Sequence, residues 1–233
     1  MSGLGRVYWK EVIEVLRMII PQYDKVNRAI SFGRDNDFRL KSIRDRIFPG
    51  DTILDAGSGF GNMTNLVLSE VRDSTKVIMY DPILDMLTNA KKFFSHDMLQ
   101  YVTSGVFEYL PFQNNVFDVV MYGYSLRDSI ELKQAIAEAY RVLKLGGRII
   151  IVDIGKPDNL IIRVGVSFYL KYILKVLAFA AAGKSGLKFK TLYGTYIRWP
   201  RNSELNALLC EKFSSVKFDK AMMGGAIIVS AYK

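Results

Sequence analysis

An α/β fold with a mostly parallel central sheet and helices on both faces is predicted for this chain by three observations. Between Thr52 and about Ile151, short β-branched runs alternate with segments of helical periodicity, the order that builds a parallel sheet. The first of those runs enters a glycine-rich turn and the second ends in a carboxylate. Of the 233 residues, 50% are hydrophobic, enough to bury a full core.

Residues 8 to 20 place Val12, Ile13, Leu16, Ile19 and Ile20 at helical spacing, and Pro21 ends that pattern by forbidding its continuation. A second helical stretch carries Phe38, Leu40, Ile43 and Ile47 and stops at the Phe48-Pro49-Gly50-Asp51 turn. Strands are expected at 52–56, 76–80, 99–103, 116–122 and 148–152, with helices between them at 62–71, 83–94 and 132–143. The last helix runs into Lys144-Leu145-Gly146-Gly147, where glycine can take the left-handed conformation that closes a helix. Segment 160–182 is strongly apolar but carries Arg163, Lys171 and Lys175. At ~100° per residue these charges fall within about 120° of arc, which suggests an amphipathic helix lying in an interface. A cover helix over a ligand pocket is the alternative. Two further strands are expected around 214–218 and at 226–231, the second after Gly224-Gly225.

Lys and Arg number 32 against 23 Asp and Glu, a formal charge of +9 that draws the protein toward nucleic acid, a membrane surface or an acidic ligand. The single cysteine, Cys210, allows neither an intrachain disulfide nor a Cys-based zinc site, and no metal is expected. Charges at Arg6, Lys10, Glu11, Glu14 and Arg17 break any signal-peptide core, so a cytoplasmic location is expected. His96 is expected at the surface or a helix end and Cys210 as a small buried residue; neither is assigned chemistry.

The chemistry-bearing segment is Asp55-Ala56-Gly57-Ser58-Gly59-Phe60-Gly61-Asn62-Met63-Thr64, a carboxylate and a glycine loop where a strand turns into a helix. Glycine lets a ligand approach the backbone, and the helix start presents unpaired N–H groups. Tyr80-Asp81-Pro82 then places a second carboxylate about 20 residues beyond the loop, in position to accept hydrogen bonds from a ribose diol. A dinucleotide fingerprint spaces its glycines G-x-G-x-x-G. The spacing here, Asp55-x-Gly57-x-Gly59-x-Gly61, instead resembles the first motif of Rossmann-like S-adenosylmethionine (SAM) dependent methyltransferases. Phe117-Asp118-Val119-Val120 and Arg141-Val142-Leu143-Lys144-Leu145-Gly146-Gly147 resemble later motifs of the same fold.

The resemblance narrows to the ubiquinone and menaquinone biosynthesis C-methyltransferases along nearly the whole chain. Tyr23-Asp24-x-x-Asn27-x-x-x-Ser31-x-Gly33 looks like that family's N-terminal signature. Leu110-Pro111-Phe112 follows the third strand as in the family, and Tyr124-Ser125-Leu126-Arg127-Asp128 resembles its Phe-Gly-Leu-Arg-Asn segment. Lys156-Pro157, Arg198-Trp199-Pro200 and Gly224-Gly225 continue the match. The chain departs from the pattern at Asp35 and Phe38 (usually His and Trp), at Asp153 and Gly155 (Glu and Ser) and at Asp128 (Asn). Val106-Phe107 stands in place of an Asp-Ala or Asn-Ala pair, so backbone groups and the Phe107 ring are expected to hold the adenine.

Chain length favours one domain, expected to comprise N-terminal helices (1–48), a cofactor-binding core (49–156), an apolar cover segment (157–200) and C-terminal strands completing the sheet (201–233). The family resemblance implies SAM as cofactor, held by Asp55, Gly57, Ser58, Gly59, Gly61, Thr64, Asp81, Pro82, Val106, Phe107 and Gly123. It also implies methyl transfer to a ring carbon of a prenylated hydroquinone. An aromatic carbon is a poor nucleophile until a neighbouring hydroxyl ionises. A phenol of pKa ~10 is only about 0.1% ionised at pH 7, and lowering that pKa by ~2 units contributes roughly 2.7 kcal/mol. Arg127 is the candidate for this stabilisation; being a permanent cation, it leaves any base role to water or Asp128. A salt bridge to Asp128 or Glu131 is the structural alternative for Arg127. Tyr23, Asn27, Tyr124 and Arg198 are expected to position the acceptor.

A prenylated acceptor dissolves in membranes, so peripheral association with the inner membrane face is expected, with each Lys or Arg near an anionic leaflet contributing ~1 kcal/mol. No nucleic-acid partner is expected. The Gly123-Tyr124-Ser125-Leu126 segment lacks the Asn/Asp-Pro-Pro-aromatic sequence of amino methylation, and Cys210 is not placed for cytosine C5 chemistry. Three alternatives stay open: N- or O-methylation of another small molecule, a non-catalytic SAM-binding subunit, and a homodimer in place of a monomer.

Overall fold

The computed structural model describes residues 3–20, 28, 31, 33–71, 75–91, 94 and 102–233. Tyr23, Asn27, His96 and the first part of the expected 99–103 strand lie outside them.

Strands β1 (Thr52–Ala56), β2 (Lys76–Tyr80), β3 (Val102–Thr103), β4 (Phe117–Gly123) and β5 (Leu143–Ile154) pair in parallel. The hairpin of β6 (Ser215–Ala221) and β7 (Ala226–Tyr232) completes a sheet of order β3-β2-β1-β4-β5-β7-β6, in which β7 pairs antiparallel with both neighbours. Helices cover both faces, so the central strands read as continuous apolar runs. Successive residues of a strand point to opposite faces. Val120 and Tyr122 of β4 therefore enter one core while Val119 and Met121 enter the other.

The first core packs α5 (Leu132–Val142) and α9 (Asn202–Cys210) on the sheet through Ala135, Ile136, Ala139, Leu205 and Leu209. The second packs α2 (Asp35–Ile43) and α3 (Asn62–Glu70) through Phe38, Ile43, Met63 and Val67. α1 (Arg6–Ile19) and α4 (Leu84–Ala90) meet at Ile13, Ile83 and Met86. Each expected strand and helix is present where described, with bounds shifted by a few residues.

Three expectations need correction. α5 ends at Val142 in extended backbone, and Gly146, though left-handed at φ 76°, lies inside β5 and does not close the helix. β5 is therefore longer than the expected 148–152, because the chain pairs with β4 again at Leu143. Cys210 is exposed, since Leu205, Leu208 and Leu209 take the buried face of α9.

The cover segment is one helical run of α6 (Leu160–Phe168), a π-helical turn at Tyr169–Ile173 and α7 (Leu174–Ala182). Leu170, Leu174 and Ala178 form its buried stripe, packing with Ile19 of α1, Phe189, and Tyr196 of α8 (Thr191–Arg198). Among the described residues no helix is long and apolar enough to cross a membrane.

Candidate active site

Strand order reverses between β1 and β4, and in sheets of this kind the crevice beyond the carboxyl ends of the strands at that switch point receives ligands. The glycine loop, Asp81, Tyr124, Arg127 and Asp153 all come from those ends.

The loop after β1 is held open by hydrogen bonds to its neighbours. Gly57 and Ser58 donate their N–H groups to the Tyr80 carbonyl (2.7 and 3.2 Å), and Asp81 Oδ2 accepts the Gly59 N–H at 2.9 Å. Asp81 Oδ1 accepts the Ile83 N–H at 2.7 Å, which fixes the carboxylate at the end of β2. Asp55 Oδ2 accepts the Thr64 N–H (3.2 Å) and hydroxyl (2.6 Å), tying the strand to the first turn of α3. Ser125 donates its hydroxyl to the Ala56 carbonyl at 2.7 Å, bringing the end of β4 against the loop. Gly57 shows why the position excludes a side chain: φ is +75°, and a Cβ there would lie 2.3 Å from Ser125 Cβ and 3.0 Å from Phe107 Cζ.

These groups line a small cradle formed by Gly57, Gly59, Asp81, Phe107, Gly123 and Asp128, with Trp9, Ile13 and Leu16 of α1 closing it from above. Three carboxylates converge here and at its floor. Burial pushes Asp55 up to about 7, against the lowering effect of the Thr64 hydrogen bonds, and Asp81 adds like-charge repulsion. Burial likewise pushes Asp81 to about 6 and Asp128 to about 6, the latter with Arg127 opposing and Asp153 and Asp81 adding. Among the described residues, Asp55 Oδ1 and Asp128 Oδ1 are buried and find no hydrogen-bond partner. Desolvated carboxylates of this kind call for a cation. SAM fits that demand, because it carries a sulfonium and an ammonium, with a ribose diol to satisfy the remaining acceptor sites of Asp81.

Beside the cradle lies a much larger apolar cavity of about 560 Å³. α6, the π-helical turn and α7 roof it through Ile161, Ile162, Val166, Tyr169, Leu170 and Leu174, while Phe38 and Arg39 come from α2. Tyr124 lines both cavity and cradle and so marks where they adjoin. Its backbone is left-handed, φ 63°, and the Arg39 guanidinium lies 4.8 Å from its ring centroid. Burial raises the Tyr124 phenol, with Arg39 opposing, so it stays protonated at neutral pH.

Arg127, in a 3₁₀ turn at Leu126–Asp128, lines the cavity. Its Nη1 donates to Asp153 Oδ1 in a tight buried ion pair, its Nε donates to the Thr195 hydroxyl at 3.3 Å, and Asp128 Oδ1 is 3.8 Å away. The tighter salt bridge is thus to Asp153, at the end of β5, and the expected pair with Asp128 is present beside it as a looser one. Burial raises the Asp153 carboxyl, with Arg127 opposing.

Of the sequence-predicted cofactor residues, Gly57, Gly59, Asp81, Pro82, Phe107 and Gly123 line the cradle directly. Asp55, Thr64 and Gly61 act one layer back: Asp55 binds Thr64, and Gly61 caps α3 in left-handed backbone. Ser58 is buried outside that lining, and the Val106 carbonyl is occupied by the Tyr80 hydroxyl at 2.9 Å, leaving the Phe107 ring as the wall. Arg198 is outside both linings: it stacks 3.8 Å from the Tyr8 ring centroid, which ties α8 to α1, and donates to the Gly194 carbonyl of its own helix. The α1 wall and the Arg39–Asp35 pair (2.6 Å) were not legible as site residues, because an amphipathic helix carries no mark of what its apolar face covers.

The family model described as the ubiE/COQ5 methyltransferase family matches residues 6–233. The demethylmenaquinone methyltransferase of Lactobacillus johnsonii is 30% identical over 100% of this chain and 97% of its own length. The ubiquinone/menaquinone biosynthesis C-methyltransferase of Francisella tularensis subsp. novicida is 27% identical over 97% and 93%. Among solved structures, a SAM-dependent methyltransferase from Thermotoga maritima superposes with a TM-score of 0.65 at 18% identity, covering 94% of this chain and 99% of that one, a likeness of fold. With a carboxylate-lined cradle that favours a cationic ligand, the expected strand order and a match over nearly its full length, this chain belongs to the ubiE/COQ5 methyltransferase family of SAM-dependent methyltransferases.

Proposed function

We propose that the protein methylates a ring carbon of a prenylated hydroquinone in quinone biosynthesis. The observation that carries the proposal is the junction at Tyr124: a cradle suited to a cationic methyl donor adjoins an apolar cavity large enough for an aromatic ring with part of an isoprenoid tail. The names of the full-length relatives, which are quinone methyltransferases, support the same reading.

Bound SAM supplies an electrophilic methyl group. The chain's own work is to make the acceptor nucleophilic and to exclude water. Arg127 is assigned to the hydroxyl neighbouring the reacting carbon, where a cation favours the ionised form. Asp153 draws off part of that charge, so the lowering of the phenol pKa is smaller than an isolated guanidinium would give. In return the ion pair holds the Arg127 fork in one orientation. Asp128, pushed to about 6, is assigned proton acceptance through water, since a base works best with a pKa near the working pH. Tyr124 is assigned to positioning the ring, together with Tyr23 and Asn27, and the apolar roof of α6 and α7 to keeping water out. Peripheral association with a membrane holding the acceptor belongs to the same proposal.

Turnover tests it. Assayed anaerobically with SAM, a prenylated demethylnaphthoquinol should be methylated and the corresponding oxidised quinone should not, because the quinone has no hydroxyl to ionise. Equal turnover of both forms, or of neither, contradicts the proposal.

A further inference from the structure

The acceptor cavity reaches solvent where its lining residues are themselves exposed: Ile161 on α6 (82% exposed) and Met223 in the β6–β7 connection (78%), with Met222 beside it. Met222 and Met223 both have left-handed backbone, φ 50° and 55°, a conformation that glycine, asparagine and aspartate adopt and two methionines do not favour. The hairpin thus holds two flexible apolar side chains out at one lip of the opening. The other lip continues as a stripe of exposed apolar residues along the cover helices, Ile161, Val164, Phe168, Tyr172, Val176 and Phe179, opposite the buried stripe of Leu170, Leu174 and Ala178. Spacings of three and four residues put them on one face.

Charge is concentrated in the same place. Between Asp158 and Glu204 the sequence has eight Lys and Arg and no Asp or Glu, so this segment has a net charge of +8 while the rest of the chain is nearly neutral at +1. Lys171, Lys184, Lys188 and Lys190 are exposed. An apolar stripe on a segment that carries exposed cations and no anions of its own fits an anionic interface, and it disfavours face-to-face pairing with a second copy, which would bring the two sets of cations together.

We propose that the mouth of the acceptor cavity is a lipid-docking surface, in which the α6–α7 stripe and the Met222–Met223 tip enter the headgroup layer of an anionic bilayer. The acceptor ring would then pass from lipid into the cavity without crossing water, a consequence that rests on the prenylated-quinol reading.

The test uses the full chain and co-flotation with vesicles of phosphatidylglycerol and phosphatidylcholine, or of phosphatidylcholine alone. Binding to the anionic vesicles, lost in high salt and absent with phosphatidylcholine, is expected. Met222→Asp/Met223→Asp and Val164→Glu/Val176→Glu should each weaken it by at least ~10-fold, while Leu145→Asp, an exposed position on β5, should not. Aspartate tolerates left-handed backbone, so the first variant is not expected to misfold. Val164 and Val176 do not line the cavity, so their variant should still turn over a tail-less, water-soluble quinol while losing turnover of a vesicle-embedded prenylated one. Wild-type indifference to anionic vesicles, unchanged binding by both variants, or lipid-free dimerisation abolished by the same substitutions would overturn the docking. Vesicle binding without turnover of either quinol would uphold the docking and sink the quinol reading; turnover of both without vesicle binding would do the reverse.

Discussion

Arg127 and Asp153 form an ion pair buried between the ends of β4 and β5, and both residues line the acceptor cavity. Removing one partner of a buried pair strands the other charge, at a cost of about 3–5 kcal/mol, whereas removing both costs much less. Arg127→Ala is therefore expected to lose most turnover while keeping SAM affinity, and to lose stability in urea denaturation. Arg127→Ala/Asp153→Asn should regain most of the stability and none of the turnover. Restored turnover in the double variant would show that Arg127 acts only to neutralise Asp153.

The carboxylates of the cradle set a pH dependence. Asp55, Asp81 and Asp128 have folded-state values of about 7, 6 and 6, above an ordinary 3.8, because burial opposes their charge. The folded protein without ligand then holds these protons more tightly than the unfolded chain. Their contribution favours folding fully below pH 3.8 and is lost as pH rises through 6 to 7, at about 1.4 kcal/mol per pH unit for each proton. Asp158, lowered to about 2 by its Ser203 and Lys220 contacts against burial, works in the opposite sense, and its contribution is lost as pH falls from 3.8 toward 2. Scanning fluorimetry should give a ligand-free Tm that rises from pH 8 to 5 and falls below pH 4. The stabilisation by SAM should shrink between pH 8 and 5, as the carboxylates that receive it become protonated.

Gly57→Ala tests the cradle sterically. Left-handed backbone and a Cβ 2.3 Å from Ser125 Cβ together predict a loss of about 2–4 kcal/mol in urea denaturation and at least ~10-fold in SAM affinity by calorimetry. Wild-type affinity in a folded Gly57→Ala protein would mean that the loop is not the binding element.

Much of this site could be read before the fold was known, for reasons that differ by residue. Asp55, Gly57, Gly59 and Asp81 are legible because a close-approaching ligand forces the spacing of a short, contiguous loop and of the next strand end. Arg127 is legible only by resemblance, and its partner is not: Asp153 follows it by 26 residues and reaches it only because β4 and β5 pair in parallel. Arg198 is placed by a contact that its local sequence does not show. Its Trp-Pro context resembles a family motif, but Tyr8, at the far end of the chain, captures the side chain outside the cavity. For 160–182, the periodicity could not choose between a pocket cover and an interface helix; the segment lines the cavity with one set of residues and exposes an apolar stripe with another, the two sharing Ile161 at the mouth.

That placement gives Arg198→Ala a different expectation from Arg127→Ala. Losing the contact with Tyr8 should cost about 0.5–2 kcal/mol of stability and leave the turnover of folded protein within about twofold of wild type. A large loss of turnover at unchanged stability would return Arg198 to the acceptor site.

The most direct measurement of the whole account is where the methyl group arrives. Incubating the protein with SAM bearing a deuterated methyl group and a prenylated demethylnaphthoquinol, then locating the label by NMR, should give a single product with the label on a ring carbon and both hydroxyls free. A label on oxygen, or on no product at all from folded, SAM-binding protein, would contradict it.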